Sequence, residues 1–134
     1  MNIESKAENI NASSRKVYEM LCDCRNFEQM ATQKQVQNWH AEEDFCEFEV
    51  SGIAKITLRI QEKQPYSHIT YTVGNDKQIP ASCTFDISDG ETSCDLFLTM
   101  NLEIPTFLAP MVKGPLQQFA DTLTNAIRMA ATKA

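Results

Sequence analysis

The sequence lacks any cluster of basic residues. Its 134 residues include 12 Lys and Arg against 18 Asp and Glu, which gives a formal net charge of −6. Nucleic-acid binding depends on grouped Lys and Arg side chains that neutralise phosphates. The charge balance therefore argues against a nucleic-acid partner.

Long hydrophobic runs are also missing. No segment approaches the roughly 20 apolar residues that a membrane-spanning helix needs, and the first ten residues, MNIESKAENI, lack the apolar core of a signal peptide. We therefore expect no membrane insertion and a cytoplasmic location. The length fits a single domain over residues 1–134 that buries roughly 70% of its unfolded surface.

Motifs that carry catalysis or hold cofactors are absent from the sequence. There are two histidines, His40 and His68, four glycines without a Gly-rich phosphate loop, and no GxSxG motif. The five cysteines form no CxxC pair, and an odd number in a reducing compartment predicts free thiols. We predict no catalytic residue, no metal site and no cofactor.

What the sequence does contain is a long stretch of strand patterning followed by one amphipathic helix. From about residue 35 to Leu102, apolar and polar residues alternate with period two between turn signals. A stripe of 3.6-residue period follows, formed by Leu108, Val112, Leu116, Phe119, Leu123 and Ile127. Because Pro115 lacks an N–H donor, Gly114-Pro115 predicts a kink or break between a short helix near 107–112 and a main helix from about 115 to 132.

The N-terminal segment predicts one strand and two short helices. Residues 2–10 alternate loosely as a first strand, and Asn11 or Ser13 can cap a helix that turns Val17 and Leu21 inward. A second helical turn, capped by Asp23, carries Phe27 and Met30.

The turn signals predict a register for each hairpin. With turns at Glu43-Asp44, around Gly52, around Pro65 and at Asp89-Gly90, the predicted pairs are Ala41 with Cys46, Val50 with Ala54, Leu58 with Tyr71, and Phe85 with Cys94. A slip of one residue would exchange the faces of the sheet.

These registers predict a sheet with one apolar and one polar face. The apolar face holds Trp39, Ala41, Cys46, Phe48, Val50, Ala54, Ile56, Leu58, Ile60, Ile69, Tyr71, Val73, Ala81, Cys83, Phe85, Cys94, Leu96, Leu98 and Met100. The polar face carries both histidines and most carboxylates, with Phe97 as a large apolar exception. The C-terminal helix is the natural cover for the apolar face.

This order of elements resembles the helix-grip fold of the SRPBCC superfamily. The segment from Asn9 to Met30 resembles the opening signature of that superfamily at Ala12, Val17, Leu21, Asp23, Asn26 and Phe27. The superfamily includes START-like lipid carriers, plant-allergen-type ligand binders and polyketide cyclases. The resemblance implies an α+β fold in which a curved antiparallel sheet of about six to seven strands wraps around a long C-terminal helix, with two short helices after the first strand.

The resemblance also implies a cavity between the sheet and the last helix. Its partner would be a small hydrophobic or amphipathic ligand such as a lipid, fatty acid, isoprenoid or polyketide-like compound, and the protein would be a monomer or weak homodimer. The predicted ligand-binding residues are Trp39, Phe48, Leu58, Tyr71, Cys83, Phe85, Leu98, Met100, Leu116, Phe119 and Leu123. We expect the hydroxyl of Tyr71 to be the polar anchor.

Three alternatives stay open at this point. The same residues can form a filled core instead of a cavity, because periodicity does not distinguish the two. The cavity can serve an enzyme of the polyketide cyclase/dehydratase type, for which the interior offers only Tyr71 and thiols as acids or bases. The domain can also be a ligand-free interaction module that uses exposed Phe97.

Overall fold

The fold is an α+β arrangement of seven strands, two α-helices and one 3₁₀ helix. The computed structural model describes residues 1–32, 36–50, 54–76 and 78–132. In chain order the elements are β1 (Asn2–Ile10), α1 (Ser14–Leu21), the 3₁₀ helix (Cys24–Thr32), β2 (Val36–Ala41), β3 (Phe45–Val50), β4 (Ala54–Gln64), β5 (His68–Asn75), β6 (Ala81–Ile87), β7 (Cys94–Leu102) and α2 (Ala109–Thr132). The predicted fold class is confirmed.

The strands form one antiparallel sheet in the order β1-β7-β6-β5-β4-β3-β2. Strands β2 to β7 are joined as consecutive hairpins, whereas β1 pairs with β7, for example Ile3 with Met100. The first and last strands are thus neighbours, and the chain that leads from β7 into α2 leaves the sheet beside β1. The sheet curls around an apolar layer that α2 covers.

The predicted division of the sheet into two faces is confirmed. Buried side chains on the inner face of β3 to β7 are Cys46, Phe48, Val50, Ile56, Leu58, Ile69, Tyr71, Cys83, Phe85, Cys94, Leu96, Leu98 and Met100. Trp39, Ala41, Ile60 and Val73 are half-buried against them. Phe97 points outward and is 41% exposed, as its place in the alternation predicts.

Two of the predicted hairpin registers are confirmed. Ala41 lies opposite Cys46 and Val50 lies opposite Ala54. The loop at 51–53 that joins the second pair of strands lies outside the described residues.

The other two registers are wrong by an even number of residues. Tyr71 lies opposite Ile60 instead of Leu58. The turn sets the register three residues from the predicted one, with Ile69 opposite Lys63 instead of Ile60, and a β-bulge between Ile60 and Glu62 takes one residue back. Phe85 lies opposite Leu98 instead of Cys94, because a connection over residues 88–93 replaces the two-residue turn. Even shifts keep every side chain on its own face, which is why the faces were predicted correctly.

Both predicted short helices are present. Ser13 caps α1, and its hydroxyl accepts a hydrogen bond from the backbone N–H of Lys16 at 3.1 Å. The second segment is a 3₁₀ helix preceded by Asp23, whose carboxylate accepts the N–H of Arg25 at 3.0 Å. Phe27 is fully buried, and the side chain of Met30 lies outside the described residues.

The predicted break in the C-terminal helix is wrong. Helix α2 runs without interruption from Ala109 to Thr132 with Pro115 inside it. Pro115 cannot donate to the carbonyl of Met111, which lies one turn earlier. Met111 is 72% exposed, Val112 is half-buried against the core, and fully buried side chains of α2 begin at Leu116. The proline therefore falls on an exposed position just before the buried part of the helix.

Polar side chains attach α2 to the outer edge of β1. Gln117 donates from Nε2 to the carbonyl of Glu4 at 2.8 Å, and Arg128 donates to the carbonyl of Glu8 at 2.9 Å. Ser5 bonds the carboxylate of Asp121 at 2.6 Å. The first two bonds satisfy carbonyl groups of the edge strand that would otherwise lack a partner in the sheet. Together the three bonds fix the position of α2 along β1.

Replacing Gly114 tests whether the first turns of α2 are free of steric contact. A Cβ at Gly114 would meet no atom within 4 Å, so we expect Gly114→Ala to raise the free energy of unfolding by up to about 1 kcal/mol through helix propensity. Chemical denaturation measures the change. In the control variant Gly90→Ala, the new Cβ would lie 1.8 Å from the carbonyl oxygen of Ser93, and we expect a loss of about 1–3 kcal/mol. A destabilised Gly114→Ala protein would contradict the placement of this segment.

Candidate functional site

The candidate site is the layer of side chains between the concave face of the sheet and α2. Each strand from β2 to β7 contributes to it, and α2 supplies the side from Leu116 onward. The fully or nearly fully buried members are Phe48, Leu58, Tyr71, Cys83, Phe85, Leu98, Met100, Leu116, Phe119 and Leu123, while Trp39 is half-buried. The structure thus places all the predicted ligand-binding residues in one layer.

A stack of aromatic rings crosses this layer near the β2 edge. The rings of Trp39 and Phe48 are stacked with centroids 5.5 Å apart, and Phe48 stacks on Phe119 of α2 at 5.6 Å. Offset stacking at such distances is the favoured arrangement of aromatic pairs. The stack links the half-exposed indole of Trp39 to the helix.

A second aromatic group surrounds Tyr71 deeper in the sheet. Its ring meets Phe27 of the 3₁₀ helix edge-on at 6.0 Å and Phe85 of β6 at 5.8 Å. The Tyr71 hydroxyl donates a hydrogen bond to the backbone carbonyl of Leu21 at the end of α1. The hydroxyl that the sequence predicts as the polar anchor for a ligand therefore already donates a hydrogen bond within the fold.

Buried thiols accompany Tyr71. Cys24, Cys46 and Cys83 are 0% exposed and not disulfide-bonded. The hydrogen bond to Cys24, together with burial, raises the pKa of the Cys46 thiol far above its usual value, and burial raises the pKa of Cys83. Since the thiolate is the nucleophilic form, the Cys46 and Cys83 thiols are poor nucleophiles in the closed fold.

Among the described residues, no charged side chain is fully buried in the interior. Among the described residues that are buried, the polar or charged ones are Ser14 and Thr124. Both have partners, since Ser14 Oγ donates to the carbonyl of Gly90 at 3.2 Å and Thr124 Oγ1 donates to that of Asp121 at 3.0 Å. The layer can therefore solvate hydrocarbon and offers little for acid–base chemistry.

The histidines lie on the outer side of the sheet. His40 Nε2 is 3.3 Å from the carboxylate of Glu42. His68 Nδ1 is 2.7 Å from Asp86 Oδ1 and its Nε2 is 3.0 Å from the Thr70 hydroxyl. Within the described ranges, no three His, Cys, Asp or Glu side chains are grouped to hold a metal ion.

An open hollow of the surface lies away from this layer. It has a volume of about 590 Å³ on the solvent side of α2 and is lined by Gly114, Gln117, Gln118, Asp121, Thr122 and Asn125. Its polar lining differs from the apolar pocket that the sequence predicts.

Sequence reasoning missed the contribution of the 3₁₀ helix to this layer. Cys24 and Phe27 are both fully buried, and Phe27 contacts the ring of Tyr71. A signal was available, because residues three apart lie on the same side of a 3₁₀ helix. The 3₁₀ helix therefore covers the end of the interior at which Tyr71 lies.

The described part of the chain contains no helix that is both long and apolar enough to cross a bilayer.

Comparison with known proteins identifies the fold. No protein-family model matches the sequence, and a search of curated proteins finds no significant match. Solved structures do match over nearly the whole chain. A START superfamily protein from Mycobacterium smegmatis is 14% identical, with 97% of this chain and 96% of that chain covered at a TM-score of 0.70.

Two further structures show the same likeness. A truncated norcoclaurine synthase from Thalictrum flavum is 9% identical, with 100% of this chain and 94% of that chain covered at a TM-score of 0.71. A protein from Chromobacterium violaceum is 16% identical, with coverage of 98% and 99% and a TM-score of 0.70. The chain therefore has the helix-grip fold that its sequence predicts, in common with these structures.

Replacing Tyr71 by Phe tests the hydrogen bond to Leu21. The variant keeps the ring but leaves a buried carbonyl without its donor, so we expect the free energy of unfolding to fall by about 1–3 kcal/mol. Thermal or chemical denaturation measures the loss. Tyr66→Phe is the matched control, because Tyr66 is 45% exposed, and its effect should stay within about 0.5 kcal/mol. Equal effects of the two variants would contradict the assignment.

The tyrosines also predict how stability depends on pH. Burial raises the pKa of Tyr18 to about 12 and raises that of Tyr71 well above its usual value. The unfolded chain loses these protons near pH 10, whereas the fold retains them, so stability falls as the pH rises from about 10 towards 12. Phenolate absorbance at about pH 11 should report fewer ionised tyrosines in the native protein than in denaturant. Equal absorbance before unfolding would contradict this.

Proposed function

We propose that this protein binds or carries a small hydrophobic or amphipathic molecule in the layer between the sheet and α2, without catalysis. The observation that carries the proposal is the uncharged interior, which runs from the stack of Trp39, Phe48 and Phe119 to Tyr71. The START-like fold supports it, since one structural neighbour is a START superfamily protein. Lipids, fatty acids, isoprenoids and polyketide-like compounds are the ligand classes that suit such walls.

The ligand contacts follow from the same layer. The apolar part of the ligand would lie against Phe48, Leu58, Phe85, Leu98, Met100, Leu116, Phe119 and Leu123, beside Trp39, Tyr71 and Cys83. No buried charge is available to a polar head group among the described residues. The polar end would therefore stay near the surface, on the side of half-buried Trp39.

Entry of a ligand requires a segment that can move without opening the core. The first turns of α2 come nearest to this requirement, because before Leu116 only Val112 is half-buried against the core and because Pro115 cannot form its helical hydrogen bond. Gly114 adds backbone freedom at the same place. We propose that residues 109–115 move to admit the ligand, and that the protein acts as a cytoplasmic monomer or weak homodimer without nucleic acid.

An enzymatic role is the second candidate, since one structural neighbour is a norcoclaurine synthase. A cyclase or dehydratase would need an acid or base in the interior, and Tyr71 is the candidate there. Its hydroxyl donates a hydrogen bond to the carbonyl of Leu21. Toward a substrate, the Tyr71 oxygen could then serve only as a hydrogen-bond acceptor. Loss of turnover in Tyr71→Phe, with ligand binding kept, would favour this role over the carrier.

Quenching of Trp39 fluorescence tests the proposed binding. Trp39 is the sole tryptophan of the chain, so a brominated fatty acid bound in the layer should quench it saturably. Native mass spectrometry of the purified protein should show a bound molecule of the same class. The absence of both would contradict the proposal.

Neighbouring residues on β7 provide matched variants for this experiment. Leu98 points into the layer and is 1% exposed, while Phe97 points outward and is 41% exposed. We expect Leu98→Phe to weaken binding about tenfold by filling space and Phe97→Ser to leave it unchanged. If Phe97→Ser instead dissolves a dimer and abolishes binding, the domain acts through its outer surface.

A further inference from the structure

Three polar side chains are joined by hydrogen bonds on the outer face of the sheet, the face turned away from α2. Strand β5 supplies His68 and Thr70, and β6 supplies Asp86. His68 Nδ1 is 2.7 Å from Asp86 Oδ1, and His68 Nε2 is 3.0 Å from Thr70 Oγ1. Since the Asp86 carboxylate only accepts hydrogen bonds, the neutral imidazole carries its proton on Nδ1 and accepts the Thr70 hydroxyl at Nε2. We call Thr70, His68 and Asp86 the outer triad.

The register of two central strands positions the outer triad. His68 and Asp86 are directly paired across β5 and β6. His68 and Thr70 are two residues apart on one strand, so their side chains lie on the same face. On the β4 side of Thr70, the carboxylate of Glu62 accepts a hydrogen bond from Gln64 at 3.1 Å, so this carboxylate is engaged outside the outer triad. Side chains held by strands in the middle of a sheet keep a defined geometry.

The outer triad has the connectivity of a nucleophile, a general base and an orienting carboxylate. In such an arrangement the hydroxyl gives its proton to Nε2 as it attacks, and the carboxylate keeps the imidazole in the required tautomer. The His68 side chain is 28% exposed, so a small molecule can reach it from solvent. The geometry therefore suits acyl transfer to Thr70.

Neighbouring side chains can bind the substrate and its developing charge. Thr84 lies directly opposite Thr70, and opposite side chains of an antiparallel pair have Cβ atoms about 4.5–5.5 Å apart. The Thr84 hydroxyl can thus donate to the oxyanion that forms when Thr70 attacks a carbonyl. Phe97 is paired with Asp86 on the other side of β6 and is 41% exposed, which offers an apolar surface to an aromatic leaving group.

We propose that the outer triad is a catalytic site that hydrolyses small activated carboxylic esters, with Thr70 and His68 as catalytic residues and Asp86 as a positioning residue. Thr70 Oγ1 bonds to the ester carbonyl carbon as its proton passes to His68 Nε2. The carbon–oxygen bond to the alcohol then breaks, and His68 returns the proton to the leaving oxygen. Water attacks the acyl-threonine in the same way, releasing the carboxylic acid and restoring the Thr70 hydroxyl. Because the site lies outside the layer under α2, the inference does not depend on the proposed ligand.

Hydrolysis of p-nitrophenyl acetate by the full chain tests the proposal. We expect peptide mapping of protein quenched in acid during turnover to find an acetyl group on Thr70. His68→Gln should lower the rate of hydrolysis about tenfold or more. His40→Gln is the matched control, because His40 also lies beside a carboxylate, 3.3 Å from Glu42, but on β2 at the edge of the sheet. Its rate should equal that of the unmodified protein.

Variants of the other two residues separate their roles. Thr70→Val should abolish the acetylation, and Thr70→Ser should retain it. Asp86→Asn should lower the rate while the thermal midpoint shows a folded protein, and nitrogen NMR of the His68 imidazole should show the proton moving from Nδ1 to Nε2, because the new amide can donate to Nδ1.

Three results would each overturn the proposal. They are equal rates in the two histidine variants, acetyl groups only on residues other than Thr70, and an unchanged rate in Thr70→Val. If a variant fails to fold, the acetyl map of the unmodified sequence still decides.

Discussion

The pairing of the first strand with the last is the constraint on which this structure depends. It joins residues about a hundred positions apart, such as Asn2 and Asn101, and such distant contacts are formed at a high entropic cost. Once β1 lies beside β7, the chain that leaves β7 returns as α2 along the edge of β1. The hydrogen bonds from Gln117 and Arg128 then hold the helix there, and Phe119 reaches Phe48 across the interior.

Two polar groups beside the resulting interior already form hydrogen bonds within the fold. The Tyr71 hydroxyl donates a hydrogen bond to the carbonyl of Leu21 at the end of α1. The Thr124 hydroxyl donates one to the carbonyl of Asp121 in its own helix. A guest molecule would find hydrocarbon, aromatic faces and neutral thiols there, and would gain mainly from the transfer of its apolar surface out of water. Selection among guests would then follow from size and shape more than from directional bonds.

The sequence predicted what depends on local periodicity and missed what depends on distant contacts. Alternation of side chains survives any even shift, so the inner face was correct although Tyr71 lies opposite Ile60 and Phe85 opposite Leu98. The bulge after Ile60 has no local signature of its own. The continuity of α2 through Pro115 depends on where the buried part of the helix begins, and the contact of Phe27 with Tyr71 depends on how the 3₁₀ helix folds back.

The attachment of α2 to β1 has a consequence for how such a chain can diverge over evolution. Gln117 and Arg128 grip the carbonyl oxygens of positions 4 and 8, and every amino acid provides that oxygen. Substitution of the Glu4 or Glu8 side chain therefore leaves these two hydrogen bonds possible. A scaffold joined through its main chain tolerates extensive drift in its first strand, which agrees with structures that superpose over nearly all of this chain at 9–16% identity.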